Sequence, residues 1–245
     1  MKMKITKRHA AEVIKIVDAG LVHGLGKPEP GKMCVEAAVC YALGLPHGDN
    51  PKCVSRVLRS LKISLNDRNW SSDKARARGL RKLAVLQLGT KDTLDEKAFL
   101  AAVVEMTIKK IVPRALRSAI KISKNAKHKK AMEAAAVECA EKGTKEAANA
   151  AAAAAYAANA ANAASTAAAY AAAAYAATAA TAAASVAYAA SVANAANAAN
   201  AAANAAAKKE KAYDKELSFF ADEVAQILID MKVPGAKWLD LLEAA

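Results

Sequence analysis

The feature that most constrains the fold is a 61-residue tract, residues 147–207, that contains no glycine, no proline and no charged residue. It consists of alanine with scattered Asn, Ser, Thr, Tyr and Val. Alanine has the highest helix propensity, so this low-complexity tract is predicted to be helical. One straight helix of this length would reach roughly 90 Å. We favour a folded-back hairpin or three-helix arrangement, with turns near Asn162–Thr166 and Ser185, because it allows the tyrosines to pack.

Asparagine recurs through this tract, from Asn149 to Asn204. Each side-chain amide would be costly in hydrocarbon, so a membrane span is disfavoured. Faces of alanine and asparagine can approach one another closely and carry no opposing charge. The tract is therefore expected to pack in water and to contribute to a homo-oligomer.

Elsewhere apolar residues recur at spacings of three and four, and no stretch reads convincingly as a strand. The predicted fold class is all-α, with a compact helical N-terminal domain followed by an alanine-rich helical hairpin or bundle. The predicted divisions are a basic helical domain (1–146), the alanine-rich segment (147–207) and C-terminal amphipathic helices that dock on the bundle (208–245).

Helix ends in the N-terminal domain are predicted from capping residues, glycine and proline. A capping box is expected at Thr93 and Glu96, and Pro113 is expected to kink or split the helix that follows. The predicted spans are about Thr6–Gly20, Lys32–Leu43, Lys52–Leu61, Ser71 or Ser72 to Leu88, and Lys127–Lys142 ending at Gly143.

Positive charge is concentrated in residues 1–146, which carry a formal net charge of +15, whereas residues 208–245 carry −2. Such an imbalance attracts nucleic acid, nucleotides or acidic protein surfaces, although a merely solubilising surface is the alternative. Four cysteines are too few for a secreted disulfide scaffold, and no signal peptide is recognisable. A cytoplasmic location is expected.

The loop of residues 24–32 contains a partial phosphate-loop pattern, because Gly26 to Lys32 fits G-x-x-x-x-G-K. Met33 stands where Ser or Thr should follow, and no strand precedes the loop, which disfavours a nucleotide-hydrolysing phosphate loop. Phosphate binding where a helix begins is still possible in principle, with Gly26, Lys27, Gly31 and Lys32 as candidates. An ordinary proline-stiffened turn is the alternative.

A second loop, residues 44–51, places an imidazole, a carboxylate and an amide between two prolines. His47, Asp49 and Asn50 are candidate ligand contacts, and Arg56 and Arg59 on the next helix are expected to add positive charge. His47 oriented by Asp49 is also a possible acid–base pair, but turn chemistry accounts for the loop equally well.

The separations of Cys34, Cys40, His47 and Cys53 are six, seven and six residues, which match no zinc pattern. These cysteines are predicted to be buried as small hydrophobic residues. No metal, cofactor or catalytic residue is predicted.

The stretch GLGKPEPGKMCVEAAVCYALGLPHGDNP, residues 24–51, resembles that of uncharacterised tailed-bacteriophage proteins that also end in long tracts of alanine, tyrosine, asparagine and serine. The resemblance spans most of the chain. It implies a phage source, an accessory role and the host cytoplasm, and it transfers no catalytic residue.

The leading hypothesis is a non-enzymatic phage accessory protein that binds a small phosphate-bearing ligand and sequesters a host nucleotide immune signal. The first alternative is a nucleic-acid-binding protein without sequence specificity, in which the same basic faces, including that of Arg56 and Arg59, contact a phosphate backbone. A further basic run is expected to be a flexible, solvated helix start with less specificity: Lys121, Lys124, Lys127, His128, Lys129 and Lys130. The second alternative is a nucleotide-processing enzyme.

Overall fold

A computed structural model describes residues 3–160 and 210–243, together with six positions between them: 173, 176, 177, 179, 180 and 197. Helices account for almost all regular structure in this part of the chain, which contains no strand and one isolated bridge between Gly26 and Met33. The all-α prediction is confirmed. Within the same residues, no helix is both long and apolar enough to cross a membrane.

The helices follow the chain with short connections. A π-helical turn, Thr107–Ile111, separates α5 from α6, and a 3₁₀-helix, Pro234–Leu242, follows α9. The α-helices are α1 (Lys7–Ala19), α2 (Val35–Ala42), α3 (Arg56–Asn66), α4 (Asp73–Leu86), α5 (Glu96–Met106), α6 (Val112–Ile122), α7 (Ala126–Lys142), α8 (Lys145–Ala160) and α9 (Glu210–Asp230).

Local capping explains the helix ends that the sequence predicted well. The Thr6 side chain accepts from the His9 amide at the start of α1, and Ser72 caps α4 in the same way. Gly143 ends α7 with φ of +66°, a conformation that glycine adopts without steric cost. Pro113 lies in the first turn of α6, directly after the π-helical turn, so the predicted interruption is confirmed.

Three predicted helix starts were wrong, and the first of them is that of α2, which begins at Val35 and not at Lys32. The third helix begins at Arg56, because Ser55 is its cap and accepts from the Leu58 amide at 3.3 Å. The capping box at Thr93 and Glu96 does not form, since Asp95 accepts from the amides at the start of α5. Glu96 instead accepts a hydrogen bond from the Ser55 hydroxyl at 2.9 Å.

Contacts group the chain into two compact units, unit 1 (residues 1–99 and 221–245) and unit 2 (residues 100–220). In unit 1, helices α1 to α4 pack around one core, and the 3₁₀-helix with its buried Trp238 packs on α1 and α4. In unit 2, α6 and α7 form a helical hairpin, and α8 packs on α7. The division at 146/147 and 207/208, drawn from composition, stays a prediction.

The described part of the alanine tract is helical up to Ala160. One face of α8 is buried through Ala147, Ala148, Ala151, Ala155 and Ala158, whereas Tyr156 is 51% exposed. The turns predicted near Asn162–Thr166 and Ser185 lie outside the described residues, as do Tyr170, Tyr175 and Tyr188. Self-association through this tract stays a prediction.

Candidate functional site

The first predicted loop closes on itself. The Lys27 amide donates to the Lys32 carbonyl at 2.7 Å, and the Lys32 amide donates to the Glu29 carbonyl at 2.9 Å. Gly26 has φ of +73°, and a Cβ atom there would collide with the backbone of Lys32. The amides of Lys27 and Lys32, two of the predicted phosphate-binding residues, are therefore used within the loop.

Lys32 does not open the second helix, as the sequence suggested, because α2 begins at Val35. Its ammonium lies 2.6 Å from the Glu29 carboxylate. The helix amides also have protein partners: the Val35 amide donates to Asn66 Oδ1 at 3.2 Å, and the Ala37 amide donates to Cys34 Sγ at 3.4 Å. The phosphate-binding helix end inferred from Gly31 and Lys32 is corrected on this point, since both residues precede an α2 N-terminus with amides already bonded.

The second loop contacts the first. His47 Nε2 donates to the Gly26 carbonyl at 3.1 Å, which joins the two predicted binding loops. Asp49 lines a neighbouring cavity of about 50 Å³ together with Asp67. Pockets for small organic ligands usually have volumes of about 300 Å³ or more, and two carboxylates oppose a phosphate. This cavity fits neither the size nor the charge of a nucleotide.

The remaining predicted residues, Asn50, Arg56 and Arg59, differ in their exposure to solvent. Asn50 and Arg56 are exposed, with Arg56 the first residue of α3. Arg59 is half-buried. Burial raises the pKa of the Glu36 carboxyl, and the positive charge of Arg59 is among the charges that oppose this rise. Arg59 thus compensates a charge of the protein itself.

The Glu36 carboxylate belongs to a buried ion pair that sequence reasoning missed. Glu36 Oε1 and Lys62 Nζ are 2.7 Å apart, and both side chains are 0% exposed. Apart from this contact, neither group has a hydrogen-bond partner among the described residues. Burial raises the pKa of Glu36 and lowers the pKa of Lys62, and the attraction between the two charges opposes both shifts. The sequence did contain one indication that Lys62 is buried, because this residue lies on the same face of α3 as the apolar Leu58 and Leu65.

Three thiols lie in the same core. Cys34, Cys40 and Cys53 are free and buried, as predicted from their apolar neighbours. Burial raises the pKa of all three, for Cys40 to about 11, so they are protonated at neutral pH. A protonated thiol is a poor nucleophile, which agrees with a packing role.

A cluster of exposed positive charge lies in unit 2, at the turn between α6 and α7. No Asp or Glu occurs between Glu105 and Glu133. We define the lysine corner as five exposed lysines around the turn of residues 123–125: Lys121, Lys124, Lys127, Lys129 and Lys130. Within the described residues, none of these five ammonium groups forms an ion pair, whereas Arg114 and Arg117 pair with Glu216 and Glu133.

Local hydrogen bonds fix the shape of this corner. Asn125 Oδ1 accepts from the Lys127 amide at 2.9 Å and from the His128 amide at 3.3 Å, which caps α7. The Asn125 amide donates to the Ser123 hydroxyl at 3.3 Å. The backbone is therefore held by its own side chains, while the lysines extend into solvent.

No protein-family model, curated protein or solved structure matches the chain.

Proposed function

We propose that the protein is a non-enzymatic nucleic-acid-binding protein that contacts the phosphate backbone through the lysine corner. The observation that carries the proposal is a group of five exposed lysines around one three-residue turn, with no carboxylate among them and no ion pair to any described residue. Lysines that neutralise phosphates release condensed counterions, and this release supplies most of the affinity of non-specific binding. The phage accessory role and the host cytoplasm are the setting that the sequence resemblance implies.

The chemistry of the corner favours binding without sequence specificity. Lysine is a flexible point charge and contacts phosphate without reading base edges. Asn125, which could read a base in another setting, is committed to capping α7. The expected complex tolerates any sequence and weakens steeply with salt.

The test is fluorescence anisotropy with two unrelated 20-base-pair duplexes at several salt concentrations. The variant Lys124→Gln/Lys127→Gln/Lys130→Gln should bind both duplexes more weakly. The slope of log affinity against log salt should shrink by about 0.9 for each lysine that contacts a phosphate.

The matched control is Lys15→Gln/Lys27→Gln/Lys97→Gln, which removes the same three charges from exposed positions in unit 1. It should change the slope little. Equal loss in both triple variants would show that net charge alone drives binding and would contradict a site at the corner.

A second candidate is the sequestration of a small phosphate-bearing ligand, such as a host nucleotide immune signal, at the two loops. One contact favours it, because the bond from His47 to Gly26 brings the loops together beside the exposed Lys27. Calorimetric titration with nucleotides should then lose affinity in Lys27→Ala and in Arg56→Ala, with only mild salt dependence. Turnover of the nucleotide would instead favour an enzyme that uses His47 and Asp49. Absence of binding would remove both.

A further inference from the structure

A second cavity in unit 1 lies between two loops that precede α3 and α5. Its volume is about 390 Å³, and its lining includes Lys52, Cys53, Gly89, Lys91, Asp92 and Thr93. This volume falls within the range of pockets that hold small organic ligands. It is too small for a nucleic-acid duplex, so a ligand held there would be a small molecule.

Hydrogen bonds between the two loops hold the cavity walls together. The Lys91 amide donates to the Cys53 carbonyl at 3.0 Å, and the Ser55 amide donates to Thr90 Oγ1 at 3.0 Å. Thr90 in turn donates to the Gln87 carbonyl at 2.7 Å. Ser55 and Thr90 are both buried, so the walls are fixed before any ligand arrives.

The charge on the lining favours an anion. Lys52 and Lys91 are exposed, and within the described residues neither forms an ion pair. Cys53 is nearly buried and its pKa is raised by burial, so the thiol adds no negative charge at neutral pH. Asp92 is the one carboxylate in the lining, against two ammonium groups.

We propose that this cavity binds a small molecule through its phosphate group, with Lys52 and Lys91 as the cationic partners. Two ammonium groups match the charge of a phosphate dianion, and lysine is a common point-charge partner of phosphate. The site is independent of the proposed nucleic-acid function, because its residues belong to unit 1 and the lysine corner belongs to unit 2. It also differs from the two-loop site around Lys27.

Substitution of Asp92 tests whether the cavity prefers a negatively charged ligand. Its φ is +60°, a conformation that asparagine adopts more readily than most residues. Asp92→Asn therefore removes the opposing charge while it keeps the backbone. Phosphate affinity should rise several-fold in this variant and fall about three- to tenfold in Lys52→Ala and Lys91→Ala.

The experiment is a two-dimensional amide NMR titration of the full-length protein with inorganic phosphate at constant ionic strength. Shifts should concentrate at residues 52–53 and 89–93, and Lys15→Ala, at an exposed position elsewhere in unit 1, should leave the dissociation constant unchanged. The amide spectrum of each variant without phosphate reports whether its fold is intact.

Two outcomes would overturn the proposal. Shifts centred on residues 24–32 and lost in Lys27→Ala would place phosphate at the two-loop site. Shifts spread over exposed lysines throughout the chain, with no response to Asp92→Asn, would mean that the cavity has no preference for phosphate. Either result leaves the duplex-binding test of the lysine corner unaffected.

Discussion

Positive charge has opposite environments in the core of unit 1 and at the lysine corner of unit 2. Lys62 and Arg76 are buried and bound to groups of the protein, whereas the lysine corner extends into solvent and forms no ion pair with a described residue. A desolvated cation must be compensated inside the fold, and a solvated one remains available to a partner. The excess charge of residues 1–146 therefore divides into a structural part and a part that can bind.

Arg76 illustrates the structural part. Its guanidinium donates to the Leu21 and Asn66 carbonyls, each at 2.8 Å, and to Asp73 Oδ1 at 2.7 Å. These bonds tie the segment after α1 and the end of α3 to α4. A positive side chain that satisfies two carbonyls in this way stabilises the fold, and its burial keeps it away from a phosphate in solution.

The largest expected effect comes from breaking the buried pair. Lys62→Ala should lower the free energy of unfolding by about 3–5 kcal/mol, because it leaves a buried carboxylate without its partner. Urea unfolding followed by circular dichroism measures the loss. The double variant Glu36→Leu/Lys62→Met should recover most of it, since apolar side chains of similar volume replace a costly pair. A loss below 1 kcal/mol in Lys62→Ala would mean that the pair is solvated.

Arg76→Ala should cost about 2–4 kcal/mol in the same assay, because it leaves the Leu21 and Asn66 carbonyls without their donor. The matched control is Arg78→Ala on the same helix, where the side chain is exposed. Its effect should stay within about 0.5 kcal/mol. Equal losses in the free energy of unfolding at the two positions would show that burial of the arginine does not decide its contribution to stability.

A third test uses pH. In Lys62→Met, burial still raises the pKa of Glu36 above its ordinary value of 4.5, and the lysine that opposed the shift is gone. Below pH 4.5 the Glu36 carboxyl is protonated in both the folded and the unfolded state. As pH rises, the unfolded state ionises first, so stability should fall until the folded pKa is passed. Unfolding between pH 4 and 8 measures the slope.

The control for the pH test is Glu36→Gln/Lys62→Met, which lacks the titrating group and should show the background dependence only. Parallel curves for the two variants would mean that Glu36 ionises normally in the fold. That result would contradict its burial.

Local signals made much of the fold predictable. Thr6, Ser72 and Gly143 mark helix ends through bonds within a few residues, and such bonds can be read from the sequence. Glu96 could not be predicted in this way, because its partner Ser55 lies 41 residues away. A long-range hydrogen bond replaced the local capping box.

The candidate sites were less predictable for the same reason. Spacing placed Lys32 near a helix start, but only the fold shows that α2 begins at Val35 and that Asn66, 31 residues away, accepts a hydrogen bond from its first amide. The lysines of the α6–α7 turn were visible as a charge run, and their lack of ion pairs depends on three-dimensional neighbours. Charge can be counted from sequence, whereas its pairing cannot.

The smallest expected stability effect is at the lysine corner, and its sign matters most. Lys127 and Lys130 lie in the first turns of α7, three residues apart. Positive charge there opposes the helix dipole, and like charges at this spacing repel. Lys127→Ala/Lys130→Ala should therefore raise the free energy of unfolding by about 0.3–0.8 kcal/mol at low salt. The gain should largely disappear at 1 M salt, where charges are screened beyond about 3 Å.

The same variant should bind duplex DNA more weakly, so stability and binding move in opposite directions. If the variant instead loses both stability and DNA binding, these lysines stabilise the fold, as the buried Lys62 and Arg76 do in unit 1.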